Sequence, residues 1–375
     1  MKTMTVAEKG VLQNKTEERS RNYGIDLARL FCMFLVVMCH ILETGGVLEA
    51  SVGRKSTVSW LLHVLPYCAV DCYALISGYV SFSEKEKPLR LNKYINLWLQ
   101  VAFYSFFITF GAYFLKPEAI GIKGLVMSLF PVSTYQYWYF SAYTVVFLFS
   151  PWLNNFVRKS EKDSLSKFIL VAFILFSVLN IFSVNLGFYD PFRLEDGFSA
   201  IWLVFLYIVG SWLKKSNFLA EIKSKLKLLI LVTLILLLWL FKVLFPNSSV
   251  AKSFLNYTSP FVLIMSVLML LLFSEIKIKG VAKKLIMILS PAAFGVYLIH
   301  FQPLIKAHFL SNGFVWVTRY PTWLFPFVLI GCAFAVYIVC LIIELIRIQV
   351  FKLVRVDWLV NACVKKLKRL FSKIF

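Results

Sequence analysis

The stretch RLFCMFLVVMCHILE, Arg29–Glu43, decides the fold class. It sets an arginine and a histidine at the two ends of an apolar run that extends back to Ile25 and is long enough to cross a hydrocarbon core of roughly 30 Å. A charged side chain near the bilayer centre costs at least about 2.5 kcal/mol on the most lenient insertion scale. A helix that carries Arg29 and His40 must therefore turn them toward protein. Eleven steps at about 100° each are three turns plus about 20°, so both residues point the same way, with a separation of roughly 16 Å along the axis. Asp26, Met33, Val36 and Glu43 fall on the same stripe.

The rest of the chain repeats the apolar pattern. Of 375 residues, 60% are hydrophobic and 16% charged, against about half and a quarter in soluble proteins. The sequence predicts an all-α polytopic membrane bundle of ten transmembrane helices near 25–43, 60–82, 94–115, 137–157, 168–187, 198–213, 227–245, 254–273, 285–305 and 323–346. Residues 1–23 read as a cytoplasmic leader, not a cleaved signal peptide, because no small-residue cleavage site follows an apolar core. Residues 24–346 form the bundle, and 347–375 a basic cytoplasmic tail. In that tail, apolar positions from Val360 onward alternate with Lys365, Lys366, Lys368, Arg369 and Lys373, as in an interfacial amphipathic helix. The segment 214–227 reads as a shorter version of it.

The net charge of +21 is topological. With both termini cytoplasmic, thirty of the 40 Lys and Arg fall on the cytoplasmic side and eight outside, a strong positive-inside bias. That distribution implies attraction to anionic membrane lipids and no role in nucleic-acid binding. The seven cysteines lie in or near apolar segments and show no metal-ligand spacing, so no metal is expected; Cys68 and Cys72, on one helix face within a span, read as buried thiols.

Asp71, in YCAVDCYALISGYV (Tyr67–Val80), places a carboxylate midway along the second span. Arg29 and His40 are the nearest candidate partners, and three ionisable groups in consecutive spans favour a buried polar site. The simpler reading pairs Arg29 with Asp26 at the inner interface and leaves His40 to bond another helix. His300 lies as deep in the ninth span as His40 does in the first, so the two are expected to meet at one depth. Glu43 is placed either to hold the second nitrogen of His40 or to remain solvated. His63 and His308 read as surface residues.

Four landmarks, in order, resemble the acyltransferase-3 family of membrane acyltransferases: Arg29 followed by ten residues and His40; YALISGYV (Tyr73–Val80); YWYFSAYTVVFLFSPWL (Tyr137–Leu153); and SPAAFGVYLIHFQPL (Ser290–Leu304). The resemblance implies transfer of an acyl group, usually acetyl, from cytoplasmic acetyl-CoA to a hydroxyl of a cell-envelope glycan or its lipid-linked precursor, in a multi-pass protein of a bacterial cytoplasmic membrane. Acyl-CoA is then a donor substrate, and no resident cofactor is expected. His40 would be the essential histidine and Arg29 its partner. Where the family has an R-x-x-R pair, this chain has RLNK, so Arg90 and Lys93 are the candidates to grip CoA phosphates, lysine keeping the charge without the fork. Some members carry an extracytoplasmic hydrolase-like domain; here transfer is expected to finish within the bundle.

O-acylation needs a base for the acceptor hydroxyl, support for the thioester oxyanion, and exclusion of water. A neutral imidazole suits the first task, and His40 fits it. Asp71 reads as a counter-ion to Arg29 or His40 ahead of a proton acceptor, and His300 as a structural residue, a substrate contact or a second catalytic group. In YQYWYF (Tyr135–Phe140) the aromatics suit either a sugar or an interfacial belt; Trp138 and Tyr139, which the resemblance covers, are kept as acceptor-binding candidates. The loop YDPFRLEDG (Tyr189–Gly197) offers carboxylates for a glycan or for water. A transporter or flippase of an anionic lipid-linked substrate is the competing class, with Arg29, Asp71 and His40 as its pathway, and a scaffold with purely structural charges the third.

Overall fold

The computed structural model describes residues 21–86, 88–115 and 117–371; the leader up to residue 20 and the last four residues of the tail lie outside that range. The described residues form helices and turns with no strand. Among the described residues, seven helices are long and apolar enough to cross a membrane: α1 (Tyr23–Leu42), α2 (Arg54–Ser81), α3 (Leu91–Leu115), α5 (Lys162–Asn185), α7 (Ser224–Leu244), α9 (Gly280–His300) and α10 (Phe325–Leu353). The other three predicted spans fall on α4 (Trp138–Lys159), α6 (Ala200–Ser216) and α8 (Pro260–Glu275), the last two only 17 and 16 residues long. The polytopic helical class read from the apolar runs is the observed one.

α1 is the buried axis of the bundle. Asn22 caps it, its side chain accepting from Gly24 and Ile25 N–H while its amide donates to the Ser274 carbonyl at 2.7 Å. Tyr73 donates to the Arg29 carbonyl at 2.6 Å and Tyr337 to that of Leu30 at 3.2 Å, tying α2 and α10 to its inner turns. At the far end, the Asn312 N–H donates to the Thr44 carbonyl and the Phe314 N–H to that of Gly45, which fixes the 312–314 loop against the helix terminus.

Helix interruptions place the site residues. α2 passes through a tight 3₁₀ turn at Leu65–Tyr67, with Pro66 at its start, and continues from Cys68. α9 has the same device at Ser290–Ala292, around Pro291, and stops at His300, five residues short of the predicted span, because Phe301 and Gln302 leave the helix ahead of Pro303. Segment 214–227 is not amphipathic helix: Asn217 takes the left-handed conformation (φ 53°) and ends α6, and turns follow to residue 222. α11 (Val356–Phe371) is helical as predicted within the described residues, and it docks on α3 through Asn96 to Asp357 (2.6 Å) and Asn92 to Asn361 (3.3 Å).

α2 and α6 pack backbone to backbone through glycine, as membrane helices do when small residues let them approach. A Cβ on Gly210 would lie 2.0 Å from the Leu75 carbonyl oxygen, and one on Gly78 1.9 Å from that of Tyr207. Gly210→Leu is therefore expected to cost about 3 kcal/mol or more by overpacking, and Gly111→Leu on α3, where nothing lies within 4 Å of the added carbon, almost nothing. Thermal melting of both variants in detergent checks the contrast; equal melting would refute the close crossing.

Candidate active site

Two polar regions lie at the two ends of α1. At its N-terminal end a cavity of about 940 Å³ opens between α1, α2, α4, α6 and the 82–93 loop. Arg21, Arg29, Arg90, Lys93 and Lys214 line it, with Asp26 as the one acidic residue among its described lining. Asp26 is 2% exposed and accepts from Arg29 and from Arg21 at 2.6 Å each, while Ser290 donates to it at 3.2 Å. The i,i+3 pairing of Asp26 with Arg29 is the simpler of the two sequence readings. It holds one guanidinium edge and leaves Arg29 on the cavity wall. Arg90, in the loop, and Lys93, in the first turn of α3, reach the same space. The structure thus brings together Arg29, Arg90 and Lys93, and adds Arg21 and Lys214.

At the other end, His40 Nδ1 lies 2.9 Å from His300 Nε2, and His300 Nδ1 lies 2.6 Å from the Val296 carbonyl oxygen. The carbonyl can only accept, so His300 carries its proton on Nδ1 and presents a lone pair on Nε2. His40 must then donate from Nδ1, which leaves its own Nε2 with the lone pair. The tautomers follow from the backbone oxygen at the end of the chain of bonds. The His40 ring stacks on Phe301 with centroids 3.8 Å apart and planes at 13°, and the Tyr297 ring lies 6.4 Å away. Tyr297 has a buried hydroxyl without a partner among the described residues. Tyr137 packs edge-on to Tyr297 at 5.7 Å and donates to the Leu298 carbonyl.

Two expected pairings and one expected exposure are corrected. Asp71 serves neither Arg29 nor His40: it is fully buried, accepts from the Trp202 indole at 3.1 Å through Oδ1, and leaves Oδ2 without a partner among the described residues. Asp71 faces α6, where Trp202 meets it. Glu43 does not orient His40, because Nδ1 of that ring already goes to His300; it accepts instead from His63 Nε2 and Tyr67 Oη, each at 3.0 Å. His63, expected at the surface, is 1% exposed between Trp60 and Tyr67. His308 is exposed, as expected.

Trp138 sits against Phe198 (4.6 Å) and Tyr257 (6.3 Å, near-parallel), on the side of Glu43 and Tyr67. Tyr139 stacks on Tyr143 at 6.3 Å, and Tyr143 lines the cationic cavity. The aromatic start of α4 thus runs between the two regions. In the 189–197 loop, Asp190 accepts from the Phe192 and Glu195 N–H groups and Asp196 from Asn256, so these carboxylates shape the loop itself. Sequence reasoning singled out neither Tyr297 nor Tyr137 as a site residue, although both stand within the quoted landmarks.

No curated protein and no solved structure matches the chain. A family model does: the acyltransferase domain of the acyltransferase-3 family matches residues 22–345. The chain belongs to that family and is a membrane acyltransferase.

Proposed function

We propose that this acyltransferase moves an acetyl group from acyl-CoA, docked at the Arg29 end of α1, to a hydroxyl of an envelope glycan or its lipid-linked precursor at the His40 end. One observation carries the reading: a single helix holds a cationic cavity at one end and a tautomer-fixed imidazole pair at the other. Five cations and one carboxylate among the described lining residues suit the phosphates of CoA, where arginine forks bind two oxygens at once. The distance of roughly 16 Å along the helix is spanned by the donor's flexible arm. On the charge asymmetry the Arg29 end faces the cytoplasm of a bacterium, both termini are cytoplasmic and the bundle has ten spans. Residues 24–346 are then the catalytic bundle, with 1–23 and 347–375 as leader and basic tail.

In the reaction, His40 Nε2 takes the proton of the acceptor hydroxyl as its oxygen attacks the thioester carbonyl. The ester bond forms, the carbon–sulfur bond breaks, and the same proton passes from His40 to the departing sulfur, giving the O-acyl product and free CoA. The positive charge that builds on His40 is shared through Nδ1–H with His300, itself anchored on Val296. Tyr297 is the donor assigned to the developing oxyanion. Trp138 offers its face to the acceptor sugar.

Label from radiolabelled acetyl-CoA is expected in the glycan fraction of membranes that express the chain and not in empty membranes; with the acceptor pool shown to be present, absence of label refutes the reading. His300→Phe keeps a ring but removes the acceptor for His40 Nδ1. It is expected to lower kcat 10- to 100-fold, about 1.4 to 2.7 kcal/mol of barrier, with KM for acetyl-CoA unchanged. A purely structural His300 would instead show as lost protein or raised KM.

A further inference from the structure

One group of side chains near the site has no part in the chemistry above. Cys39 Sγ, His63 Nε2 and a Glu43 carboxylate oxygen all lie within 4.8 Å of one another, at the end of α1 and beside the turn in α2. We propose that Cys39, Glu43 and His63 bind a divalent transition metal of the zinc class, in an open three-residue site at the His40 end of the bundle. The inference does not rest on the acyl-transfer reading.

The separations are those of ligands around one ion. With zinc–sulfur bonds of about 2.3 Å and zinc–nitrogen or zinc–oxygen bonds of about 2.0–2.1 Å, tetrahedral geometry puts sulfur and nitrogen about 3.6 Å apart and nitrogen and oxygen about 3.4 Å apart. The observed distances are 3.6 Å from Cys39 Sγ to His63 Nε2 and 3.0 Å from His63 Nε2 to Glu43 Oε1. A thiolate, an imidazole and one carboxylate favour zinc over calcium or magnesium, which prefer oxygen alone.

The surroundings fit as well. Without a metal, Glu43 accepts from His63 Nε2; His63 Nδ1 is buried and has no partner among the described residues, so the ring proton can move there and free Nε2 for a metal. Tyr67 donates to the Glu43 oxygen and edges against the His63 ring, which orients both ligands. Glu43 is 41% exposed, which gives access and room for a water in the fourth position, whereas Cys39 and His63 are buried. Binding releases the thiol proton of Cys39 to solvent and moves the proton of His63 from Nε2 to Nδ1. Sequence spacing hides the site, because Cys39 and Glu43 are one helical turn apart and His63 arrives from another helix.

The test uses the full chain, purified without a polyhistidine tag, stripped with chelator, reloaded with zinc or cobalt, and dialysed. One zinc per chain is expected, with thiolate-to-cobalt charge-transfer absorption in the cobalt form. Both should vanish in Cys39→Ser and in His63→Gln and persist in Cys68→Ser, whose thiol is equally buried. Zinc-edge X-ray absorption of the parent decides even if a variant fails to fold: one sulfur with nitrogen and oxygen neighbours supports the site. A parent that retains no zinc, or whose zinc has no sulfur neighbour or several, overturns it.

Discussion

His40→Ala is expected to lower kcat for acetyl transfer by about 10²- to 10⁴-fold, the range a positioned general base contributes, with acyl-CoA binding and protein level unchanged. The separation of effects follows from the geometry. The imidazole belongs to the His300 end of α1, three turns from the cavity that would hold the donor. Its removal takes away the proton acceptor and leaves His300 Nε2 without a donor, but alters no cation of the cavity. Transfer of label by membranes and calorimetric binding of a non-transferable acyl-CoA analogue read the two ends separately. A variant that turns over at the parental rate would exclude His40 as the base, and one that also loses CoA binding would mean that the two ends are not separate sites.

Arg29→Ala should do the opposite and more. We expect KM for acetyl-CoA to rise by about 10- to 100-fold, or roughly 1.4 to 2.7 kcal/mol of lost donor binding. The protein should also lose stability. Removing one partner of a buried pair costs about 3 to 5 kcal/mol, but Arg29 is 28% exposed and Asp26 keeps Arg21 and Ser290, so about 1 to 2 kcal/mol is the fair expectation after solvent screening. Arg29→Lys keeps the charge and should recover part of the stability without the forked grip on phosphate. Raised ionic strength should weaken donor binding in the parent more than in Arg29→Ala, because fewer cations remain to be screened. KM at two salt concentrations checks this, and an Arg29→Ala enzyme with parental KM would remove the arginine from the donor site.

The bundle was legible because apolar runs of membrane length leave little else for a chain to do, and each predicted span lies on a helix. Arg29, His40 and His300 stood out because polar residues in such runs are costly, and the meeting of the two histidines followed from equal depth along two helices. Partners were harder to read. Asp71 finds Trp202, 131 residues away, through an indole N–H that counts as apolar in any hydropathy pattern. Glu43 meets His63 from a second helix and Tyr67 from the turn that follows it. Spacing along one helix predicts shared faces; it cannot say which face of a second helix will meet them.

α1 holds the cationic cavity and the imidazole pair on one helix, and under the proposed function the consequence is a ruler. Tyr73 and Tyr337 brace the helix at Arg29 and Leu30 and the 312–314 loop fixes its far end, so under the proposed mechanism the interval between phosphate grip and base cannot shrink to suit a shorter donor. Acetyl carriers that keep the thioester but lack the full arm, such as N-acetylcysteamine esters, could occupy only one end at a time. Selection for CoA would then lie in reach, with no pocket needed to recognise the acetyl group itself.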